Sequence, residues 1–247
     1  MAIRKIKLTI QYDGADYHGW QIQPGYKTIQ GELAEALRGL TGANVAVTGA
    51  SRTDAGVSAL GQVACFEIDS PIPTQNFAKA LNDRLPNDIA ASEAVEVPQD
   101  FDVIGDVTSK MYQYSIFTAN VRPVLNVRHC WHHPHTLNAE LMHEAAQYLL
   151  GKHDFKSFAS AADDRESSVR TIFGCDVTRI GDAIIVKTEG DGFLYNMMRN
   201  IVGTLTDVGA GRTLPAKIKD ILEAKDRTAA GPIAPAAGLC LMWIKYR

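Results

Sequence analysis

The chain reads as an α+β protein built from two ferredoxin-like halves, and three observations predict this. Short segments alternate apolar and polar residues with the period of half-buried strands. Between them, apolar residues recur every three or four positions, as on one face of a helix. The resulting order, β-α-β-β-α-β, occurs twice. The first copy is assigned to residues 1–100 and the second to 101–247. No Pro/Gly/Ser-rich linker separates them, so their sheets are expected to join into one central, largely antiparallel sheet flanked by helices. A cleft between the halves is then the expected ligand site.

Ile6, Leu8, Ile10 and Tyr12 alternate with Lys5, Lys7, Thr9 and Gln11, and Asp13-Gly14 ends that strand. Ile29, Leu33, Leu37 and Leu40 then keep helical spacing behind Thr28, a candidate N-cap, with Gly42 just past the end. Val45 and Val47 open a second strand and Val63 to Ile68 form a third. Phe77, Leu81 and Leu85 mark a helix stopped by Pro86, and Ile89 to Val97 closes the half. In the second half Tyr112, Tyr114 and Ile116 share a strand face, and a helix runs from Asn138 to Gly151. Phe173, Cys175 and Val177 alternate, Gly181-Asp182 turns, and Ile184 and Val186 return as a hairpin. Phe193, Met197, Ile201, Leu205 and Val208 form a helical stripe, Pro215 opens a short helix through Leu222, and Leu239 to Tyr246 is the last strand.

Composition bounds the function. With 247 residues, 46% of them apolar, the chain can bury a substantial core. No continuous apolar block marks a secretory leader, and no run reaches the length of a membrane span. Cys65, Cys130, Cys175 and Cys240 lie far apart and form no C-x-x-C pair, so a reducing cytoplasm fits best. A formal charge of −3 does not mark a nucleic-acid binder. Polyanion binding answers to local field, however, so any RNA surface must be a patch.

The stretch SRTDAGVSALGQVACFE, residues 51 to 67, sets Arg52 and Asp54 two apart before a flexible corner. The chain leaves regular structure at Gly49-Ala50 and is expected to resume it near Gln62, so both side chains ride a loop at a strand end. Gly56 permits a positive φ that turns the backbone and leaves the Asp54 carboxylate projecting. In isolation the same letters would describe a capped turn beside a solvated arginine.

The loop resembles the signature of the tRNA pseudouridine synthase A family, G-R-T-D-A-G-V-H-A-x-G-Q-V, and the resemblance runs the length of the chain. Family-like blocks are YDGADYHGWQIQ from Tyr12, LNDRLPNDI from Leu81, KMYQY from Lys110, GKHDFKSF from Gly151, FLYNMMR from Phe193 with Ile201-Val202-Gly203, and GLCL from Gly238. Three positions depart from it: Ser58 replaces His, Ser51 replaces Gly, and Met111 stands where a basic residue often precedes the tyrosine.

The resemblance implies the pseudouridine synthase fold and isomerisation of uridine to pseudouridine in the anticodon stem-loop of tRNA, at positions 38 to 40. That reaction breaks the bond from ribose C1′ to uracil N1, turns the bound base and joins C1′ to C5, with no cofactor. It requires the uridine to leave its stack and an ionised carboxylate near C1′ and C2′, acting as nucleophile or as general base. By resemblance this is Asp54. Burial raises an Asp pKa from its ordinary value of about 3.9 unless a cation opposes it, and Arg199 is the implied partner. Tyr112 is the implied stacking ring and Leu239 the apolar residue on the other side of the base, although on pattern alone Tyr112, Tyr114 and Leu239 are core residues. Arg52 would contact phosphate or occupy the gap left by the extruded base. A homodimer is further implied, one subunit holding the stem-loop and its partner the tRNA body.

Other signals carry less. His129, Cys130, His132, His133 and His135 crowd one segment without a second ligand cluster, so an RNA-facing or dimer-facing loop with Arg122, Arg128 and Trp131 is preferred over a metal site. Gly190-Asp191-Gly192 lacks the third glycine of a dinucleotide loop, since Tyr195 stands there, and no nucleotide cofactor is expected. The run from Asp163 to Glu166 reads as a solvated loop, with Arg165 and Arg170 as candidate RNA contacts. Two rival functions remain: a non-catalytic RNA-binding or tRNA-folding protein on the same scaffold, and a nucleoside-cleaving hydrolase that uses the same carboxylate.

Overall fold

The computed structural model describes residues 3–163 and 165–247. In chain order its elements are β1 (Arg4–Tyr12), α1 (Ile29–Thr41), β2 (Val47–Gly49), β3 (Ser58–Ile68), α2 (Phe77–Asn82), β4 (Ile89–Val97) and β5 (Val107–Phe117). There follow β6 (Trp131–His132), α3 (Ala139–Gln147), β7 (Gly151–Asp154), β8 (Val169–Ile180), β9 (Ala183–Gly190), α4 (Met197–Gly209), α5 (Lys217–Ala224) and β10 (Leu239–Tyr246). The chain divides into two compact units, Met1–Thr108 with Cys240–Arg247, and Ser109–Leu239. The division thus lies beyond residue 100, and nearly all of the last strand goes with the first unit because β10 pairs in parallel with the start of β3.

In the first unit β1 is central, antiparallel to β3 on one side and β4 on the other, with β2 on the far edge of β3. This is the sheet order of a ferredoxin-like half. Ile6, Leu8, Ile10 and Tyr12 point into the core, as the alternation requires. The Thr28 hydroxyl accepts from the Gly31 amide to cap α1, and Gly42 ends it at φ 74° with its N–H on the Arg38 carbonyl. Against expectation β3 begins at Ser58 and is buried on both faces over most of its length. Its second face carries Val63 and Cys65, which pack with Ala50 and Val103 under Phe101, Ile244 and Tyr246. Its residues therefore show no alternation to read.

The second unit pairs β5, β9, β8 and β7 in that order, all antiparallel, with β6 alongside β5. The expected β8–β9 hairpin is present, but Phe173 is 55% exposed while Ile172 is buried with Cys175 and Val177. A bulge between Ile172 and Gly174 inserts Phe173 as an extra residue, so the apolar face shifts by one position. Other bounds also differ from expectation. α4 starts at Met197, because Asn196 before it is left-handed at φ 59° and Phe193 lies outside the helix. α3 stops at Gln147 and Gly151, at φ 94°, opens the unforeseen strand β7. The turn at Pro215 precedes α5, which begins at Lys217.

No helix among the described residues is long and apolar enough to cross a membrane. The α+β class, the two ferredoxin-like halves and the mainly antiparallel pairing agree with the sequence reading.

Candidate active site

Residues 50–57 leave β2 and return to β3, and they are fastened at nearly every position. The Ala50 amide donates to the Val63 carbonyl at 2.8 Å. The Gln62 side chain, fully buried, donates to the Ser51 carbonyl at 2.6 Å. Thr53 is held twice: its carbonyl accepts from the Trp20 amide at 3.0 Å, and its hydroxyl bonds Tyr12 Oη at 2.8 Å. The Val57 amide closes a turn onto the Asp54 carbonyl at 3.1 Å, with Gly56 at φ 80° in the third position, as a type II turn requires. Asp54 is half-buried and Arg52 exposed.

The run from Tyr12 to Trp20 wraps this loop so tightly that two of its glycines are required. A Cβ on Gly14 would stand 2.0 Å from the Val57 carbonyl oxygen, and one on Gly19, at φ 83°, 2.6 Å from the Thr53 oxygen. The Tyr17 carbonyl accepts from the Gly56 amide, and its phenol donates to Asp88 at 2.6 Å. Asp88 belongs to the LNDRLPNDI block, so that block reaches the Asp54 loop through Tyr17. Ser58, in place of the family's histidine, accepts from the Gly14 amide at 3.1 Å. Gly61 has its own reason: a Cβ there would meet the Met242 carbonyl of β10 at 2.5 Å. Gly14→Ala should therefore lower stability by about 1–3 kcal/mol, the usual cost of overpacking. A urea midpoint equal to the parent's would show that the two backbones are not in this contact.

In the second unit β5 sets Tyr112 and Tyr114 on one face, and both rings are buried, Tyr112 at 6% exposure and Tyr114 completely. Tyr114 is wholly buried, donates to the Pro235 carbonyl at 2.7 Å and packs so close to Gly238 that a Cβ there would lie 2.5 Å from its ring. Tyr114 is a core residue. Tyr112 presents its ring to Phe193, edge to face at 5.1 Å. Leu239 is buried at the start of β10. Arg199, in the first turn of α4, is half-buried; its Nε donates to the Ala234 carbonyl at 2.8 Å and its Nη1 to Asn196 Oδ1 at 2.9 Å.

Lys110, two residues before Tyr112, lies near Arg165 and Arg170; burial first, and then these guanidiniums, push its ammonium down to about 8. Asp163 corrects the reading of a solvated run: its side chain is only 5% exposed and accepts from the Tyr195 amide and Arg165. Asp164 lies outside the described residues. In the histidine-rich segment His132 Nε2 bonds the Ala119 carbonyl at 2.9 Å and His133 Nδ1 the His135 carbonyl at 3.3 Å. Those rings are engaged by main chain, and among the described residues no group of three His, Cys, Asp or Glu side chains is placed to hold a metal ion.

The sequence profile of the family described as tRNA pseudouridine synthase matches residues 8–104 and 145–247. The chain belongs to the tRNA pseudouridine synthase family. Among similar proteins is the tRNA pseudouridine synthase A of Caldicellulosiruptor saccharolyticus, 44% identical over 244 residues, which cover 99% of this chain and 100% of the relative. Those of Acetivibrio thermocellus and Clostridium acetobutylicum are 45% and 41% identical over the same coverage. Of the five residues that the resemblance leads one to expect at the site, Arg52 and Asp54 share one fastened loop, while Tyr112, Arg199 and Leu239 lie in the other unit. Sequence reasoning missed Tyr12, Tyr17, Gln62 and Asp88 as supports of the Asp54 loop. All four stood inside family-like stretches, which was their only signal.

Proposed function

We infer that this protein isomerises uridine to pseudouridine in tRNA, at positions 38 to 40 of the anticodon stem-loop, with Asp54 as the essential carboxylate. The observation that carries the reading is the Asp54 loop, fastened by main-chain and buried side-chain bonds, in a chain matching tRNA pseudouridine synthase A relatives from end to end. A carboxylate that must meet ribose C1′ or C2′ needs such a fixed support, since catalysis depends on orientation of the reacting groups.

In this reading the target uridine leaves its stack and rests against Tyr112, with Leu239 on its other side. Base–aromatic stacking is worth about 1–3 kcal/mol. Arg52, exposed on its loop, contacts phosphate or fills the gap in the RNA. Arg199 keeps the Asp54 carboxylate ionised. Both routes open to Asp54, addition to the substrate or proton removal at C2′, use the same charged group. The C1′–N1 bond breaks, the C1′–C5 bond forms, the C5 proton leaves to solvent and N1 regains one, so no external group enters. Lys110, Arg165 and Arg170 lie near one another and Asp163 and Asp191 offset part of their charge, so the cluster adds a modest local positive field. The protein works in the cytoplasm as a homodimer whose second subunit holds the tRNA body.

Incubation with C5-tritiated tRNA tests the reading. Isomerisation releases tritium without free uracil. A hydrolase would release labelled uracil, and a passive RNA-binding protein would release neither; either result would refute the assignment.

A further inference from the structure

Asn196 has a backbone conformation that most side chains resist. It lies at φ 59°, ψ 7°, and among the described residues only Lys225 shares a positive φ without being glycine. Asparagine tolerates the left-handed region better than most residues, but glycine adopts it at no steric cost. Were the turn into α4 the only requirement, glycine would serve as well.

What glycine lacks is the carboxamide, and both of its ends are engaged. Oδ1 accepts from Arg199 Nη1 at 2.9 Å, and Nδ2 donates to Ser160 Oγ at 2.7 Å. The orientation of the amide follows from chemistry, because a guanidinium can only donate and so must face the oxygen. Ser160 is itself anchored, its amide donating to the Tyr195 carbonyl at 3.0 Å. On the opposite side Arg199 Nε donates to the Ala234 carbonyl at 2.8 Å, while the Ala234 amide donates back to the Arg199 carbonyl at 3.1 Å. That segment is pressed onto α4, since a Cβ on Gly203 would fall 1.6 Å from the Pro232 oxygen. Two fixed acceptors on two different nitrogens define the plane of a rigid guanidinium, and so the direction of its third nitrogen.

We propose that Asn196 is the positioning residue for Arg199: the left-handed turn before α4 aims its carboxamide at the guanidinium three residues on and sets the orientation in which Arg199 serves Asp54. The inference rests on the reading of Arg199 given above. Aspartate could keep the turn and the acceptor, but it would place an anion beside Arg199 that competes with Asp54 and would lose the donor to Ser160.

The test compares Asn196→Gly with Arg199→Met and the parent on tritiated tRNA, measuring melting temperature, tRNA Kd and single-turnover tritium release. Asn196→Gly should fold and bind tRNA as the parent does while its single-turnover rate falls roughly tenfold to a hundredfold, the scale of a small misplacement at a reacting centre. A parental rate in Asn196→Gly with a depressed rate in Arg199→Met would show that position 196 serves only the backbone, overturning the inference. So would a rate loss carried by weaker tRNA binding. Parental rates in both variants would instead refute the role of Arg199 itself. If Asn196→Gly melts far below the parent, the same measurements are made at a temperature where both proteins are fully folded: a lost rate at unchanged Kd supports positioning, and a parental rate overturns it.

Discussion

Asp54→Asn should reduce tritium release by roughly a thousandfold or more, within the range spanned by loss of a proton-transferring or nucleophilic group, while tRNA still binds. The change is nearly isosteric. The turn that carries the residue is closed by the Val57 amide on the Asp54 carbonyl and by Gly56 in the left-handed region, neither of which involves the carboxyl group. The loop leading into it is held through Ser51 and Thr53. The variant therefore keeps the scaffold and removes the charge, which is the element common to both chemical routes. Far-UV circular dichroism and tRNA affinity like the parent's, with tritium release gone, is the expected set. Substantial release by a well-folded Asp54→Asn would remove Asp54 from the chemistry.

Arg199→Met should cost roughly a hundredfold or more in single-turnover rate, the magnitude associated with removing one preorganised electrostatic group. Methionine is a good helix former of similar reach, so α4 is retained. The Ala234 carbonyl and the Asn196 carboxamide lose a donor each, which lowers stability by about 1–3 kcal/mol. Because stability and turnover respond to different losses, the two measurements separate. Arg199→Lys should recover only part of the rate, since an ammonium restores the charge but cannot keep the flat two-sided grip of a guanidinium. A single-turnover rate in Arg199→Met equal to the parent's would leave this arginine a structural role only.

How much of this could be read in the letters depends on how far each cause lies along the chain. β1, α1, β4 and β10 were legible because their signals are local: strict alternation in Ile6 to Tyr12, a Thr28 cap and a Gly42 stop, unbroken strand runs. The start of β3 was not, because its letters run against its burial: Leu60 is 55% exposed while the small Ala59 and Gly61 on either side are buried. Phe173 was misplaced because a bulge changes register without changing composition. The stripe from Phe193 ran too long because the left-handed state of Asn196 is a property of backbone, invisible to spacing. In the candidate site, Arg52, Asp54, Tyr112, Arg199 and Leu239 were named through family resemblance. Their supports act through bonds spanning tens of residues, from Tyr12 to Thr53 and from Tyr17 to Asp88, and no pattern in a linear string encodes such pairings.

The parallel pairing of β10 with β3 has a consequence for biosynthesis. When the ribosome has finished residue 108, the Asp54 loop and its glycine wrapping are already made, yet Gly61 still awaits the strand that lies against it and Val63 and Cys65 are still wet on one side. All of 109–239 must be translated before Ile244 and Tyr246 arrive to seal them. So wide a sequence separation slows closure, because the intervening chain loses its freedom before the contact forms. The nascent protein thus carries its Asp54 loop early and gains the cover for that loop's sheet late, an interval in which a chaperone has something to shield.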